Sequence, residues 1–318
     1  MKRQQGFSLI ELFISLAVGL FLFAGVLSVF VGMRTTSSET SSYGNMQETG
    51  RFALSVLTDD LMRQGFWGDI ATSLSANELT AIPAAPGNEC QGGGLNNGTF
   101  PGNLGHFRTI WGRTATTASP ISCVDDAKLQ SDILQIKRVV STPVANAART
   151  ADRYYLVANS SGGQIIDGGD ALPTINNSRI WEYQHHVYYV SEQTLGGLTY
   201  PVLNRAILVN EMDDEPLIDG VEMVKFMYGV DVDNDAVVDT YVSANNMTQA
   251  FWDNEFDSRI RAVKVYVLVR DIEPDPNYTN NVVYQLGDTT LDAFEDNYRR
   301  MLFSSTVTLF NGDIEIWP

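Results

Sequence analysis

Histidine, cysteine and basic residues are scarce in this sequence. Among 318 residues there are 3 histidines and 2 cysteines, and 21 lysines and arginines stand against 38 aspartates and glutamates. A net charge of −17 argues against nucleic acid as a direct ligand of the main body, because a phosphate-binding surface needs a positive face. His106 stands alone, and His185 and His186 are neighbours in a segment that reads as a strand. Successive strand side chains point to opposite faces, so those two rings do not chelate one metal together. One is expected half-buried beside Tyr183 or Tyr188 and the other exposed. There is no Gly-x-Ser-x-Gly elbow, no His-Glu-x-x-His pair, no phosphate loop and no dinucleotide fingerprint. Internal repeats, heptad runs and strand–helix alternation are also missing. These absences weigh against an enzyme and against a doubly wound α/β fold.

Long apolar runs are equally scarce, with one exception. Phe7 to Met33, FSLIELFISLAVGLFLFAGVLSVFVGM, carries Glu11 as its single charge. Leu12 to Met33 is 22 residues without a charge. As a helix it measures about 33 Å, roughly the hydrocarbon thickness of a bilayer. The preceding Met1-Lys2-Arg3-Gln4-Gln5-Gly6 is a short basic leader, which keeps this end cytoplasmic and places the bulk of the chain across the membrane. The apolar run is too long for a secretory signal peptide and no Ala-x-Ala-like site follows it, so the segment is expected to be retained.

Glu11 is the anomaly. An ionised carboxylate deep in hydrocarbon costs at least ~2.5 kcal/mol. Cleavage after Gly6 would leave a new amine on Phe7, four residues from Glu11. A neighbouring subunit in a helical assembly would present the same amine, neutralising each carboxylate at a subunit contact. The plainer alternative is a one-span anchor with Glu11 near the interface, and the physics alone leaves both open.

Gly6-Phe7-Ser8-Leu9-Ile10-Glu11-Leu12, behind a Lys-Arg leader, resembles the class III signal of type IV pilins and type II secretion pseudopilins. The resemblance implies that a prepilin peptidase cleaves after Gly6, that Phe7 becomes N-methylated, and that Glu11 registers the subunit against its neighbour's amino terminus. Loss of Lys2 and Arg3 takes the net charge from −17 to −19.

If the bulk of the chain is exported, Cys90 and Cys123 meet an oxidising compartment and are expected to pair. They enclose a Gly-, Asn- and Thr-rich stretch with few core residues, and closing that loop is worth roughly 3–4 kcal/mol in the chain-entropy picture. A redox or metal pair would need Cys-x-x-Cys spacing, which is absent.

Residues 34–50 have weak helix propensity, with Gly44 and Gly50 each costing about 1 kcal/mol against alanine. A long helix frayed in its middle is therefore expected. From Arg51 to Gln64 the helix reads clearly: Ala53, Leu54, Leu57 and Leu61 share a side, Arg51, Asp59, Asp60 and Arg63 mostly face water, and Gly65 is the stop. Residues 66–130 read as mostly loop with short strands hidden in it. Period-two patterns follow at 133–140, 153–158, 178–190 (one or two strands), 221–230, 237–242, 259–270, 282–286 and 301–310. In the clearest, Val263, Val265, Val267 and Val269 share one face. The fold class is thus α+β, a long amino-terminal helix packed on a mainly antiparallel sheet. Its divisions are a leader 1–6, a membrane or filament-core helix 7–33, a helical continuation 34–65 and a β-rich periplasmic domain 66–318.

The carboxyl-terminal third adds to the resemblance. Arg259 to Asp271, Glu273-Pro274-Asp275-Pro276-Asn277-Tyr278, Tyr284 to Asp288 and Tyr298 to Asn311 are similar to blocks of the PilW minor pilins, as is Ser131-Asp132-Ile133-Leu134. Membership would imply partnership with other minor pilins, the major pilin, the inner-membrane assembly machinery and the prepilin peptidase. It would also imply a role in priming the pilus and a place at its tip, in support of motility or adhesion. The J pseudopilin of type II secretion shares this plan, and an anchored periplasmic adhesive module is a further alternative. Residues 85–130, 141–180 and 312–318 fit no family pattern.

One acidic motif stands apart. Asp231, Asp233, Asp235 and Asp239 occupy positions 1, 3, 5 and 9 of a calcium-loop template. Ala236 replaces the template glycine and Val242 the bidentate glutamate, so a calcium site is set against a plain solvated hairpin turn. Glu211-Met212-Asp213-Asp214-Glu215 reads as a surface loop.

Overall fold

The computed structural model describes residues 8–71, 74–94, 96–102 and 106–311. In chain order the elements are helix α1 (Leu9–Arg63), strands β1 (Ile110–Thr114), β2 (Asp132–Val139), β3 (Tyr154–Asn159), β4 (Gly162–Asp167), β5 (Arg179–Leu195), β6 (Leu198–Leu208), β7 (Met212–Asp219), β8 (Val221–Asp231) and β9 (Thr240–Ser243), the short helix α2 (Gln249–Trp252), and strands β10 (Arg259–Arg270), β11 (Tyr284–Leu286), β12 (Thr289–Leu291) and β13 (Arg300–Thr308). The chain divides into two compact units, one ending at Gln47 and the other beginning at Glu48.

In the first unit α1 is helical throughout, including the stretch expected to fray. Thr36 and Thr40 turn their hydroxyls back onto the carbonyls of Gly32 and Thr36, at 3.1 and 2.8 Å. Those oxygens are thereby occupied within the helix instead of diverting the backbone into turns. The apolar segment is long and apolar enough to cross a membrane, and none of it is buried in the protein.

In the second unit the last turns of α1 bury Ala53, Leu57 and Leu61, as their spacing predicts. Gly65 takes a left-handed φ of 67° and ends the helix. Its N–H donates to the Lys137 carbonyl (3.0 Å), and the Val139 N–H donates back to Phe66 (2.9 Å). The helix exit is therefore sewn to β2.

Every strand pairing is antiparallel. The seven-stranded sheet runs β1-β2-β5-β3-β4, with β6 also on β5 and β7 on β6. β5 is one 17-residue strand and acts as the spine, pairing with β2, β3 and β6. The second sheet runs β13-β10-β8-β9. Val263, Val265, Val267 and Val269 of β10 are all buried. On the opposite face Leu268 joins Met223, Tyr284, Leu286 and Leu291 in a small core beneath the β11–β12 hairpin. The two sheets are tied at Asp132, whose buried carboxylate accepts from Lys225 Nζ and the Phe226 N–H, both at 2.9 Å.

Three expectations need correction. The 211–215 run is not a surface loop: Met212–Asp219 pairs with β6, where Glu215 bonds Arg205 and Asp214 accepts from the Tyr189 hydroxyl. Asp60 does not face water but is buried. Gly50 is no mere weak point of the helix, because a Cβ there would overlap the Phe303 ring of β13. Gly44, by contrast, has nothing within 4 Å.

The two glycines therefore separate by substitution. Gly50→Ala should destabilise the folded chain by roughly 1–3 kcal/mol, the usual cost of overpacking, and Phe303→Leu in the same chain should recover part of that. Gly44→Ala should instead firm the helix by about 1 kcal/mol. Chemical denaturation in detergent reads the first pair, and amide exchange around residue 44 reads the second.

Candidate assembly helix and its supporting sites

Gly6 and Phe7, the expected cleavage and methylation positions, lie outside the described residues. Glu11 lies in the first turn of α1, and its N–H donates to the Ser8 carbonyl at 3.0 Å. A carboxylate there meets the positive end of the helix dipole. Around it Leu9, Ile10, Leu12, Phe13 and Ile14 are all exposed, and the exposure continues to Met33. A helix apolar on every side is stable only against lipid or other apolar helices.

At its other end α1 carries a polar anchor. Asp60 sits on the same side as Leu57 and Leu61 and is buried. Its carboxylate accepts from Arg138 Nε at 2.6 Å and the Tyr188 hydroxyl at 2.9 Å, and lies 2.7 Å from His186 Nδ1. Burial by itself would raise the Asp60 pKa. The attraction and hydrogen bonds of His186 and Arg138 outweigh it and hold the carboxyl well below the usual range. His185 and His186 do point apart, but neither is exposed. His185 lies 3.2 Å from Thr99 Oγ1, and burial first, then Lys137 and His186, hold its pKa well below the ordinary imidazole value. The sequence signal for Asp60 was available: it falls three residues after Leu57 on the apolar stripe.

Cys90 and Cys123 form a disulfide. The loop it closes is not a loose decoration. Phe100 and Phe107 are buried and pack on Tyr183 and Trp67, and Arg108 is buried with Nε 2.7 Å from Asp253. Gln135 of β2 donates to the Cys90 carbonyl at 2.9 Å, fixing the disulfide to the sheet.

The acidic turn after β8 is only partly the template. Oxygens of Asp231, Asp233 and Asp239 lie within 4.8 Å of one another, while Asp235 stands outside that group. Asp235 instead caps the turn by accepting from the Val237 N–H at 2.8 Å. Asp231 is buried and accepts from Arg261 Nε at 2.9 Å and the Ala236 N–H at 3.0 Å. Burial alone would raise its pKa, but Arg261 and the backbone donors bring it below the ordinary value. Asp233, exposed, is raised by repulsion from Asp235 and then Asp239. Ala236 has the left-handed φ, 69°, that the template gives to glycine. The sequence reading missed Arg261, which neutralises the innermost acid.

Two family models match the chain. Residues 1–27 match the prokaryotic N-terminal methylation motif, and residues 187–311 match type IV pilus-assembly protein W. Over these residues the chain is similar to the PilW family of type IV pilus-assembly proteins, behind an N-terminal methylation motif. The first match covers the leader, Glu11 and the start of α1, and the second runs from the middle of β5 through β13. Residues 28–186, with the disulfide and Asp60, lie outside these two matches. No curated protein and no solved structure matches the chain. Pilin families are structural rather than catalytic, and the signal with one apolar helix fits an inner-membrane-anchored pilin.

The Asp60 anchor gives a signed prediction. A carboxyl with a depressed folded pKa adds stability that is fully present above its unfolded value, near 4, and is lost as pH falls below that toward the folded value. Asp60→Asn leaves Arg138 buried without its charge partner and should cost about 3–5 kcal/mol at neutral pH. Denaturation at pH 7 and at pH 3 should show a smaller difference between variant and parent at the lower pH.

Proposed function

We propose that this minor pilin primes type IV pilus assembly and is incorporated at or near the tip, in support of motility or adhesion. The observation that carries this reading is an exposed, wholly apolar helix with one carboxylate, Glu11, directly behind a methylation signal. Cleavage after Gly6 gives Phe7 a free, then methylated, amine. Glu11 neutralises that amine on an adjacent subunit as lipid contacts are exchanged for helix contacts. Other minor pilins, the major pilin, the inner-membrane machinery and the prepilin peptidase are the partners. The domain from residue 66 onward faces the periplasm first and the cell surface afterwards, where its loops present the partner surfaces.

Intact mass and amino-terminal sequencing of protein extracted from host membranes test the processing step. The expected mature chain starts at methylated Phe7, and that form disappears in a host without prepilin peptidase. A mature chain still starting at Met1 would reduce the protein to an anchored periplasmic module. Glu11→Ala should still be cleaved and inserted but should be missing from sheared pilus fractions. Recovery of the parent protein with secretion-system components and never with pili would assign it to the type II pseudopilins instead.

The 231–239 turn carries two readings, a calcium site centred on Asp233 and Asp239 with Asp231 shared by Arg261, or a turn neutralised by Arg261 alone. Calcium titration by calorimetry separates them. Saturable heat that is lost in Asp233→Asn and Asp239→Asn supports calcium, and no heat at millimolar calcium removes it.

A further inference from the structure

Beneath the disulfide loop lies a buried amine without a carboxylate partner among the described residues. Lys137 projects from β2, is fully enclosed, and donates to Asn97 Oδ1 at 3.1 Å and to the Arg108 carbonyl at 3.0 Å. Its Nζ stands 5.0 Å from the centre of the Phe107 ring. Asn97 is also fully buried, and its Nδ2 donates to the Gly92 carbonyl. Glu89 adjoins the pair: its Oε1 accepts from the Thr99 N–H at 2.7 Å and abuts Gly98, the residue after Asn97. Trp67 packs on Phe107 and Tyr183 beside this chamber, and all three rings are buried.

A buried ammonium hydrogen-bonded only to neutral oxygens is costly, which favours loss of its proton. Burial, then the Arg108 charge, lower the Lys137 pKa to about 7, against a smaller opposing pull from Glu89. A neutral amine is a nucleophile, and here it is held against a side-chain amide with a carboxyl group close by.

We propose that Lys137 and Asn97 become joined by an intramolecular isopeptide bond. Lys137 Nζ attacks Asn97 Cγ, and the new Nζ–Cγ bond forms as the Cγ–Nδ2 bond breaks. The Glu89 carboxyl carries a proton from Nζ to Nδ2, which leaves as ammonia. The balance is one amine and one primary amide going to one secondary amide and one ammonia, with no oxidant or reductant. Fixed approach of the reacting groups supplies what a bimolecular aminolysis lacks, and exclusion of water protects the acyl centre from hydrolysis. The bond would tie the 90–123 loop to β2 across 40 residues of sequence, beside the disulfide that already closes it.

Mass spectrometry of the full-length protein, reduced and alkylated, is the test. The expected intact mass is lower by one ammonia than the sequence of the mature chain requires. Digestion should yield a branched peptide in which Lys137 is linked to Asn97. Lys137→Met and Asn97→Ala should each restore the missing ammonia. Glu89→Gln, checked for the parent's circular dichroism, should fold but stay unlinked. Unbranched peptides containing Lys137 and Asn97 from the parent protein would overturn the proposal. So would loss of ammonia without a branched peptide, which would mark a succinimide at Asn97–Gly98. A Glu89→Gln protein that still forms the link would overturn the role given to Glu89.

Discussion

A buried carboxylate on the last turns of a helix, Asp60, holds the second unit together. It reaches Arg138 on β2 and His186 and Tyr188 on β5, so one side chain gathers the helix and the two central strands of the larger sheet. Taking these groups out of water is expensive, and their mutual attraction offsets that cost only while all partners are in place. The cluster therefore fixes register as much as it adds stability: a helix rotated by one residue would strand the carboxylate among Leu57, Leu61 and the sheet. The backbone bonds at Gly65 and Phe66 then repeat the same attachment a turn further on.

The helix must serve two unlike surroundings. Its first half presents apolar side chains on all sides, and its second half has a single buried stripe. The glycines mark the difference. Gly50 is required by a neighbour, the Phe303 ring, while Gly44 has open space around it in the single chain. Helix propensity treats the two as equal weaknesses, and tertiary packing distinguishes them.

Period-two patterning made β10 legible to the residue, because its valines share one buried face while Lys264 and Tyr266 on the other are only partly buried. β2, β3, β8 and β13 were found within a residue or two for the same reason. β6 and β7 were missed: LTYPVLNRAIL and MDDEPLID carry prolines and acids that read as loop. The acids of β7 are tolerated because Arg205 and Tyr189 stand beside them. A strand made acceptable by its neighbour's side chains has no signature of its own. The histidines failed likewise, since alternation correctly sent the rings to opposite faces but could not reveal that both faces are covered. The pilin signal was readable because Gly6, Phe7 and Glu11 form a contiguous motif, whereas Lys137, Asn97 and Glu89 meet only through the fold.

The stretch outside the two family matches is held by more than its strands. Apart from β1, segment 90–123 contains little that could form a sheet, yet it covers Lys137, His185 and Tyr183. A polar loop over a buried polar floor is stable only if nearly every donor finds an acceptor. Thr99 illustrates the density required: its N–H meets Glu89, its hydroxyl meets His185 and its carbonyl meets Tyr183. The disulfide reduces the freedom such a loop has when unfolded, which lets a short set of hydrogen bonds order it. Once that lid is closed, water is excluded from the floor, and the same closure that satisfies Thr99 also deprives Lys137 of the solvent that would keep it charged.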